Sequence, residues 1–236
     1  MADKKEKPEV SITIPIYNEE SGIEETVINL VGVFKKEKVN YELVLVNHGS
    51  SDNTQKILER LAKKNERLNV INLEKNLSYG GGIQYGFEHS NGDYIGFTCA
   101  DEEVSAEDVF KIYDKLRHSD FDVSKSRRMD RKDGLFRKFT SFVFNSLISI
   151  RFNLRLNDIN GYPIFMKRKL FPSVKTKETA YLFNLDFLRN MKGAGYKIIE
   201  IPITHHERKK GKSYMKLSRI FEMALGFIRY SLRIMR

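Results

Sequence analysis

The sequence predicts an α/β domain built on a mostly parallel sheet flanked by helices, and three observations carry this. Up to about Ala100, short β-branched or apolar runs alternate with helix-length stretches, the pattern of strands joined by crossover helices. Each run ends in a polar loop rich in glycine, amide or carboxylate. The 236 residues suffice for a substantial core, expected in one large domain.

The first strand is placed at 10–16, where Val10, Ile12, Ile14 and Ile16 alternate, and Pro15 and the polar Tyr17-Asn18-Glu19 mark its end. Ligands of open α/β sheets bind at the strands' C-terminal edge. There an aromatic, an amide and a carboxylate can stack on a base and hydrogen-bond to it. The other reading is a plain turn with acidic residues opening a helix over 21–36.

The second strand, 41–47, runs into Asn47-His-Gly-Ser-Ser-Asp-Asn-Thr54. Gly49 permits a tight turn there, and Ser51 or Asp52 is placed to cap a helix over 53–65. After a third strand at 69–73, Gly80-Gly81-Gly82 open a helix over 80–90, whose first backbone N–H groups suit a phosphate. The run lacks both the G-x-G-x-x-G spacing and the Lys-Ser/Thr of a P-loop, so neither dinucleotide binding nor NTPase chemistry is supported.

The fourth strand, 94–98, delivers Cys99-Ala-Asp-Glu-Glu103 ahead of a helix from about Ala106. Three successive carboxylates at a strand end form a hard-oxygen cluster suited to Mg²⁺ or Mn²⁺ that also holds substrate phosphates. Acidity at a helix N-terminus is the competing reading.

Net charge is +10, from 41 Lys and Arg against 31 Asp and Glu, with the basic residues concentrated after Lys125. Such a balance favours anionic partners. Nucleic acid ranks last among them and is not expected, because no recognised binding motif accompanies the charge. The single cysteine, Cys99, excludes an intrachain disulfide. No run approaches the roughly 20 apolar residues of a spanning helix. Met1 to Glu9 reads as a polar, mobile tail and not a signal peptide, so a cytoplasmic location is expected. Residues 214–236 mix Leu217, Ile220, Phe221, Leu225 and Ile228 with Lys216, Arg219 and Arg229. That basic amphipathic helix suits a membrane interface, or packing on the domain or on a second protomer in a homo-oligomer.

Taken in order, Pro15-Ile-Tyr-Asn-Glu19, Val46-Asn-His-Gly-Ser-Ser-Asp52, Asn76 to Gly86, Ala100-Asp101, Ser126-Arg127-Arg128, Asp158-Ile-Asn-Gly161 and Arg208-Lys-Lys-Gly-Lys-Ser213 resemble family-2 glycosyltransferases of the GT-A fold. More narrowly, they are similar to dolichyl- and undecaprenyl-phosphate sugar synthases. The likeness covers residues 10 to about 216, and it implies a glycosyltransferase domain at 10–213.

The resemblance implies that Pro15, Tyr17, Asn18 and Glu19 border the nucleotide base of a nucleoside-diphosphate sugar, with Asn47 and His48 alongside. Gly80, Gly81 and Ala100 would line the donor site. Asp101 would hold Mg²⁺ or Mn²⁺, with Glu103 as second ligand, to neutralise charge on the leaving diphosphate. Arg208 and Lys212 would reach that diphosphate from a late loop. Arg127 and Arg137 resemble the pair that receives the acceptor phosphate. Phe136, Phe139, Phe142 and Phe144 lie near them in sequence, so charge beside apolar groups fits a lipid phosphate.

A phosphate monoester, with a second pKa near ~6, attacks without a general base. Asp158 is the candidate base for a hydroxyl acceptor, or else a structural carboxylate anchoring the loop before Gly161. Three departures stand out from the family pattern: Asn47-His48 replaces a pair of aspartates, Cys99 replaces the first carboxylate of Asp-x-Asp, and Gly211-Lys-Ser-Tyr214 replaces Gly-x-Ser-Lys. The function expected is inverting, metal-dependent sugar transfer to a polyprenyl phosphate at the cytosolic membrane face. The alternatives are transfer to a glycan hydroxyl and a noncatalytic nucleotide-sugar or membrane-binding module.

Overall fold

The computed structural model of the chain describes residues 6–129, 146–180, 182–206 and 217–234, with the side chains of 217–224 outside that description. Seven strands form one sheet in the order β3-β2-β1-β4-β6-β5-β7. β1 (Val10–Ile16) and β2 (Tyr41–Asn47) coincide with the predicted bounds. β3 (Leu68–Asn72) and β4 (Tyr94–Phe97) follow within a residue. Between them lie α1 (Ile23–Lys36), α2 (Thr54–Ala62) and α3 (Ser78–Glu88). α2 stops short of the predicted 65 because Asn65 Oδ1 accepts the Arg67 N–H at 3.1 Å, turning the chain into β3.

Beyond α4 (Ala106–Arg117) the topology departs from simple alternation. β5 (Val123–Met129) pairs with β6 (Ile164–Lys167), which runs antiparallel between β4 and β5, and β7 (Ile198–Thr204) lies parallel outside β5. The reversal of β6 matters for the site. With Phe97 opposite Ile164 and Met129 opposite Thr204, the end of β4, the start of β6 and the ends of β5 and β7 share one sheet edge.

The strands are covered on both faces, as a parallel sheet requires. Tyr94 and Phe97, three apart in β4, point to opposite faces. On one face Tyr94 meets Tyr113 of α4, which with Phe34 of α1 and Phe165 forms an aromatic cluster at centroid distances of 5.7–5.9 Å. On the other, Phe97 packs among Tyr79 and Phe87 of α3 and Phe183 of α7 (Phe183–Gly193), which follows the single turn α6 (Phe171–Val174).

α3 approaches the sheet closely because its glycines leave no side chains in the way. A Cβ on Gly82 would lie 1.9 Å from His48 Nε2, and one on Gly86 would lie 2.3 Å from the Thr13 methyl. Gly32, exposed in α1, faces open space within 4 Å. Gly82→Ala is therefore expected to destabilise by about 1–3 kcal/mol, from overpacking. Gly32→Ala is expected to stabilise by up to about 1 kcal/mol through helix propensity. Urea unfolding midpoints moving in opposite directions check both.

Of the tail expected over 1–9, residues 6–9 are described. Glu9 Oε1 accepts from the Tyr113 hydroxyl and from Arg117 at 3.2 Å, and Lys7 pairs with Asp93, so residues 6–9 lie against the domain, while 1–5 fall outside the described residues. α8 (Leu217–Arg233) is helical, as expected, and is docked through Tyr230. That ring is 3% exposed, packs 5.7 Å from Phe152 in the helical stretch 146–152 (α5), and its hydroxyl bonds to Asp186 and Arg189 of α7. Leu225, Ile228 and Leu232 of α8, with Leu147 and Ile150 of α5, are left exposed. No helix among the described residues is long and apolar enough to cross a membrane.

Candidate active site

The C-terminal edge of the sheet gathers the loops after β1, β2 and β4, the ends of β5 and β7, and the segment before β6. The first two are stitched together. Asn18, at φ 54°, donates its N–H to Ser50 Oγ at 3.0 Å, and its Oδ1 accepts the Ser51 N–H at 2.8 Å. The Glu19 N–H reaches Thr54 Oγ1 at 3.0 Å, and Glu20 Oε2 accepts the Asn53 N–H at 3.0 Å. Asn18 thus fastens one loop to the other, while Tyr17 stands 41% exposed at the edge beyond Pro15.

Asn47 is also structural in its contacts. Its Nδ2 donates to Asn72 Oδ1 at 2.8 Å and its Oδ1 accepts from Ser50 Oγ at 2.6 Å. His48 departs from the expectation that it neighbours a base: it is 3% exposed and lies against Gly82 of α3. Burial lowers its pKa against the opposing effect of an Asn76 hydrogen bond, and its Nε2 has no hydrogen-bond partner among the described residues. A neutral imidazole fills the hollow the glycine leaves.

In the glycine run, expected to suit a phosphate, packing takes up part of the first turn. The Gly80 N–H donates to the Thr179 carbonyl at 2.8 Å and the Ser78 N–H to Asn76 Oδ1 at 2.8 Å, so these donors of the first turn are already engaged. A Cβ on Gly80 would lie 2.3 Å from the Phe183 ring, and one on Gly81 2.9 Å from Leu77 Cβ. Both glycines serve packing.

The loop after β4 is different. The Thr98 N–H bonds to the Thr13 carbonyl at 3.1 Å, and the Ala100 carbonyl accepts from Thr26 Oγ1 at 3.3 Å, fixing the loop to β1 and α1. Glu102 adopts φ 56°, a left-handed conformation that folds Glu103 back toward Asp101. The Glu103 N–H accordingly lies 3.3 Å from Asp101 Oδ1. Both carboxylates converge on the Tyr162 hydroxyl, at 3.1 Å from Asp101 Oδ2 and 2.9 Å from Glu103 Oε2. Glu102 instead lines a cleft of about 760 Å³ between α1 and α4.

His205, just past β7, places Nε2 3.1 Å from Glu103 Oε2. Burial alone would raise the Glu103 pKa, but His205, Tyr162 and Arg128 outweigh it and hold the group below the ordinary carboxylate range. Burial, followed by nearby negative charge, pushes the Tyr162 phenol and the Cys99 thiol well up, so both stay protonated.

Mg²⁺ and Mn²⁺ take oxygen ligands, commonly one or two carboxylates completed by substrate phosphates. Asp101 and Glu103 fit that requirement. Among the described residues no group of three or more His, Cys, Asp or Glu side chains is arranged as a metal cage, so this pair would leave coordination positions to phosphate oxygens.

On the far side lies a buried charge cluster. Arg128 grips Asp158 through Nε at 2.8 Å and Nη2 at 2.9 Å, and its backbone N–H adds a third bond at 3.1 Å. Lys125, fully buried, donates to the Ser126 carbonyl at 2.9 Å and to the Asp158 carbonyl, and pairs with Glu200 at 3.4 Å. Burial would raise the Asp158 carboxyl, yet Arg128 and Lys125 hold it at about 2. A carboxylate so clamped is a poor proton acceptor, which favours its reading as a structural anchor over that of a general base.

Arg127 points away from Arg128 on the strand, its Nε 3.3 Å from Met129 Sδ. Arg137, Arg208 and Lys212 lie outside the described residues. Sequence reading missed Arg128, Tyr162 and His205 as site residues. Arg128 stood in the Ser126-Arg127-Arg128 motif, and His205 carried a signal as one of two consecutive histidines closing a strand at the ligand edge.

Residues 11–174 match the family model described as Glycosyl transferase family 2. The chain is 32% identical over 213 residues to an undecaprenyl-phosphate 4-deoxy-4-formamido-L-arabinose transferase of Photorhabdus laumondii, covering 88% of this chain and 64% of that protein. It is 26% identical over 239 residues to a dodecaprenyl-phosphate galacturonate synthase of Rhizobium johnstonii, covering 98% of this chain and 70% of that one. The chain thus spans about two thirds of the length of these curated relatives.

Among solved structures, glucosyl-3-phosphoglycerate synthase from Mycobacterium tuberculosis with Mn²⁺, UDP and glucosyl-3-phosphoglycerate superposes with TM-score 0.74 at 16% identity, covering 95% of this chain and 80% of that one. That likeness shows the fold, a GT-A α/β architecture with the mostly parallel sheet described above. Since the family match runs from β1 past β6 and takes in the stitched loops, Asp101, Glu103 and Tyr162, the chain belongs to glycosyl transferase family 2.

Proposed function

We propose that this protein is a metal-dependent inverting glycosyltransferase. It moves a sugar from a nucleoside-diphosphate donor to a polyprenyl phosphate at the cytosolic face of a membrane. The observation that carries this reading is the convergence of Asp101 and Glu103 at the sheet edge, beside the loop that presents Tyr17. The two curated relatives are named for transfer to undecaprenyl and dodecaprenyl phosphate, and the GT-A neighbour was solved with UDP and Mn²⁺.

Tyr17, exposed at the edge, is placed to stack on the base, and the stitched 18–20 and 50–54 loops keep that wall rigid. Asp101 and Glu103 would hold the divalent cation on the donor diphosphate. A bound Mg²⁺ or Mn²⁺ would supply Lewis-acid neutralisation of the leaving diphosphate. A dianionic acceptor phosphate needs no base, which agrees with the clamped state of Asp158. Arg127 is available on the strand edge for that phosphate, with Arg137, Arg208 and Lys212 as the other proposed contacts. The exposed apolar residues of α5 and α8, flanked by Arg151, Arg229 and Arg233, would rest on anionic lipid.

Purified protein, a panel of radiolabelled nucleoside-diphosphate sugars, Mn²⁺ and a short-chain polyprenyl phosphate test the reading. Label moving into the organic phase is expected. Label appearing only in water-soluble acceptors would reject the lipid acceptor.

A further inference from the structure

We infer that Tyr162 is a positioning residue for the divalent cation, and that the buried Arg128–Asp158 pair acts on the cation's carboxylates through it. The inference rests on reading Asp101 and Glu103 as the cation's ligands. A phenol carries one proton to donate, yet the Tyr162 oxygen lies 3.3 and 3.1 Å from the two Asp101 oxygens and 2.9 Å from Glu103 Oε2. Two carboxylates that would otherwise repel each other are gathered around a single donor hydrogen. They are thereby held in the convergent arrangement a cation requires, before any cation arrives.

Tyr162 is in turn fixed from behind. It follows Gly161, where a Cβ would sit 2.5 Å from the Ser126 carbonyl and 2.9 Å from Asp158 Oδ2, so the segment from Asp158 is pressed against β5. The Arg128 guanidinium lies 5.9 Å from the Tyr162 ring centroid and is itself gripped at two of its three nitrogens by Asp158. Glu200 ties that segment down once more, accepting the Asn157 N–H at 2.8 Å and the Asp158 N–H at 3.1 Å while pairing with Lys125. Two cations, Lys125 and Arg128, and two anions, Asp158 and Glu200, are thus paired with one another, and Arg128 faces the sheet edge across the Tyr162 ring. None of the four needs to touch the cation. Beside the direct attraction of the Arg128 charge for Glu103, which a lysine would keep, their effect on it passes through the direction of one phenol.

Partners that orient metal ligands change affinity by roughly 10–100-fold when removed. Mn²⁺ binding to the full chain, measured by electron paramagnetic resonance with Mn²⁺ alone and with Mn²⁺ plus pyrophosphate, reads this directly without turnover. Tyr162→Phe keeps the ring and is expected to weaken Mn²⁺ binding about 10-fold, near the lower limit of that range, with an unchanged melting temperature. Arg128→Lys is expected to weaken it in the same sense, and the double variant to be no weaker than Tyr162→Phe alone, because both act on one path.

Equal or tighter Mn²⁺ binding by Tyr162→Phe would overturn the inference, as would additive losses in the double variant. Should Arg128→Lys fail to fold, Tyr162→Phe decides alone. Asp101→Asn separates the two levels. Unchanged Mn²⁺ binding there overturns the reading of the carboxylates themselves, whereas loss there with Tyr162→Phe unaffected overturns only the role of Tyr162.

Discussion

Asp101→Asn is expected to reduce sugar transfer on the order of 10²–10³-fold while leaving the fold intact. Asp101 sits at the end of β4, where it shares the Tyr162 hydroxyl with Glu103. Removing its charge withdraws half of the carboxylate pair that would hold a cation on the donor diphosphate. The amide keeps the shape and one hydrogen-bonding oxygen, so stability should change little. Transfer assays at saturating Mn²⁺, beside thermal unfolding of both proteins, check the two halves of this expectation. A variant that keeps wild-type turnover would remove Asp101 from the donor site.

Asp158→Asn should show the opposite profile, with stability lost first. The carboxylate is 6% exposed, gripped by Arg128 and close to the fully buried Lys125. Neutralising it leaves two buried cations facing Glu200 alone, and breaking a buried pair costs about 3–5 kcal/mol. In a chain of this size that lowers the melting temperature on the order of 10 °C.

The same contacts set a pH dependence. Asp158 is held at about 2 in the folded state against an ordinary value of 3.8. A depressed folded pKa contributes stability that is complete above the unfolded value and is lost as pH falls through the folded one. The loss therefore falls between about pH 4 and pH 2, and integrates to about 2 kcal/mol. Denaturant unfolding across that window should show a steeper acid loss in the wild type than in Asp158→Asn. A stable Asp158→Asn protein with intact donor binding and no turnover would instead restore the general-base role and the hydroxyl acceptor.

Much of the first half of the fold was legible because local and global signals agree there. β1 and β2 are buried on both faces, so their β-branched runs are long and unbroken, and their bounds can be read directly. α3 is legible as a helix, but its glycines allow two readings. Glycine at a helix start permits a phosphate and equally permits a neighbouring element to come close, and only the Thr179 carbonyl and the Phe183 ring distinguish the two. His48 raised the same ambiguity. An imidazole after a strand looks like a ligand group until the hollow at Gly82 is seen to receive it.

The antiparallel β6 left no clear trace in sequence. Its four residues are too few for a periodic signal, and its pairing partners lie far away along the chain. Tyr162 was missed for that reason, since its importance comes entirely from where β6 begins.

The chain by itself determined the α/β alternation, the polar loops at the strand ends and the basic second half, because these follow from periodicity, turn residues and composition. Tertiary structure alone decided which polar side chains meet. Register and strand reversal bring Asp101, Glu103, Tyr162 and His205 to one point, and they turn Asn47, His48, Gly80 and Asp158 inward. A side chain's chemistry is written locally, but whether it faces a ligand or a neighbour depends on contacts between segments tens of residues apart.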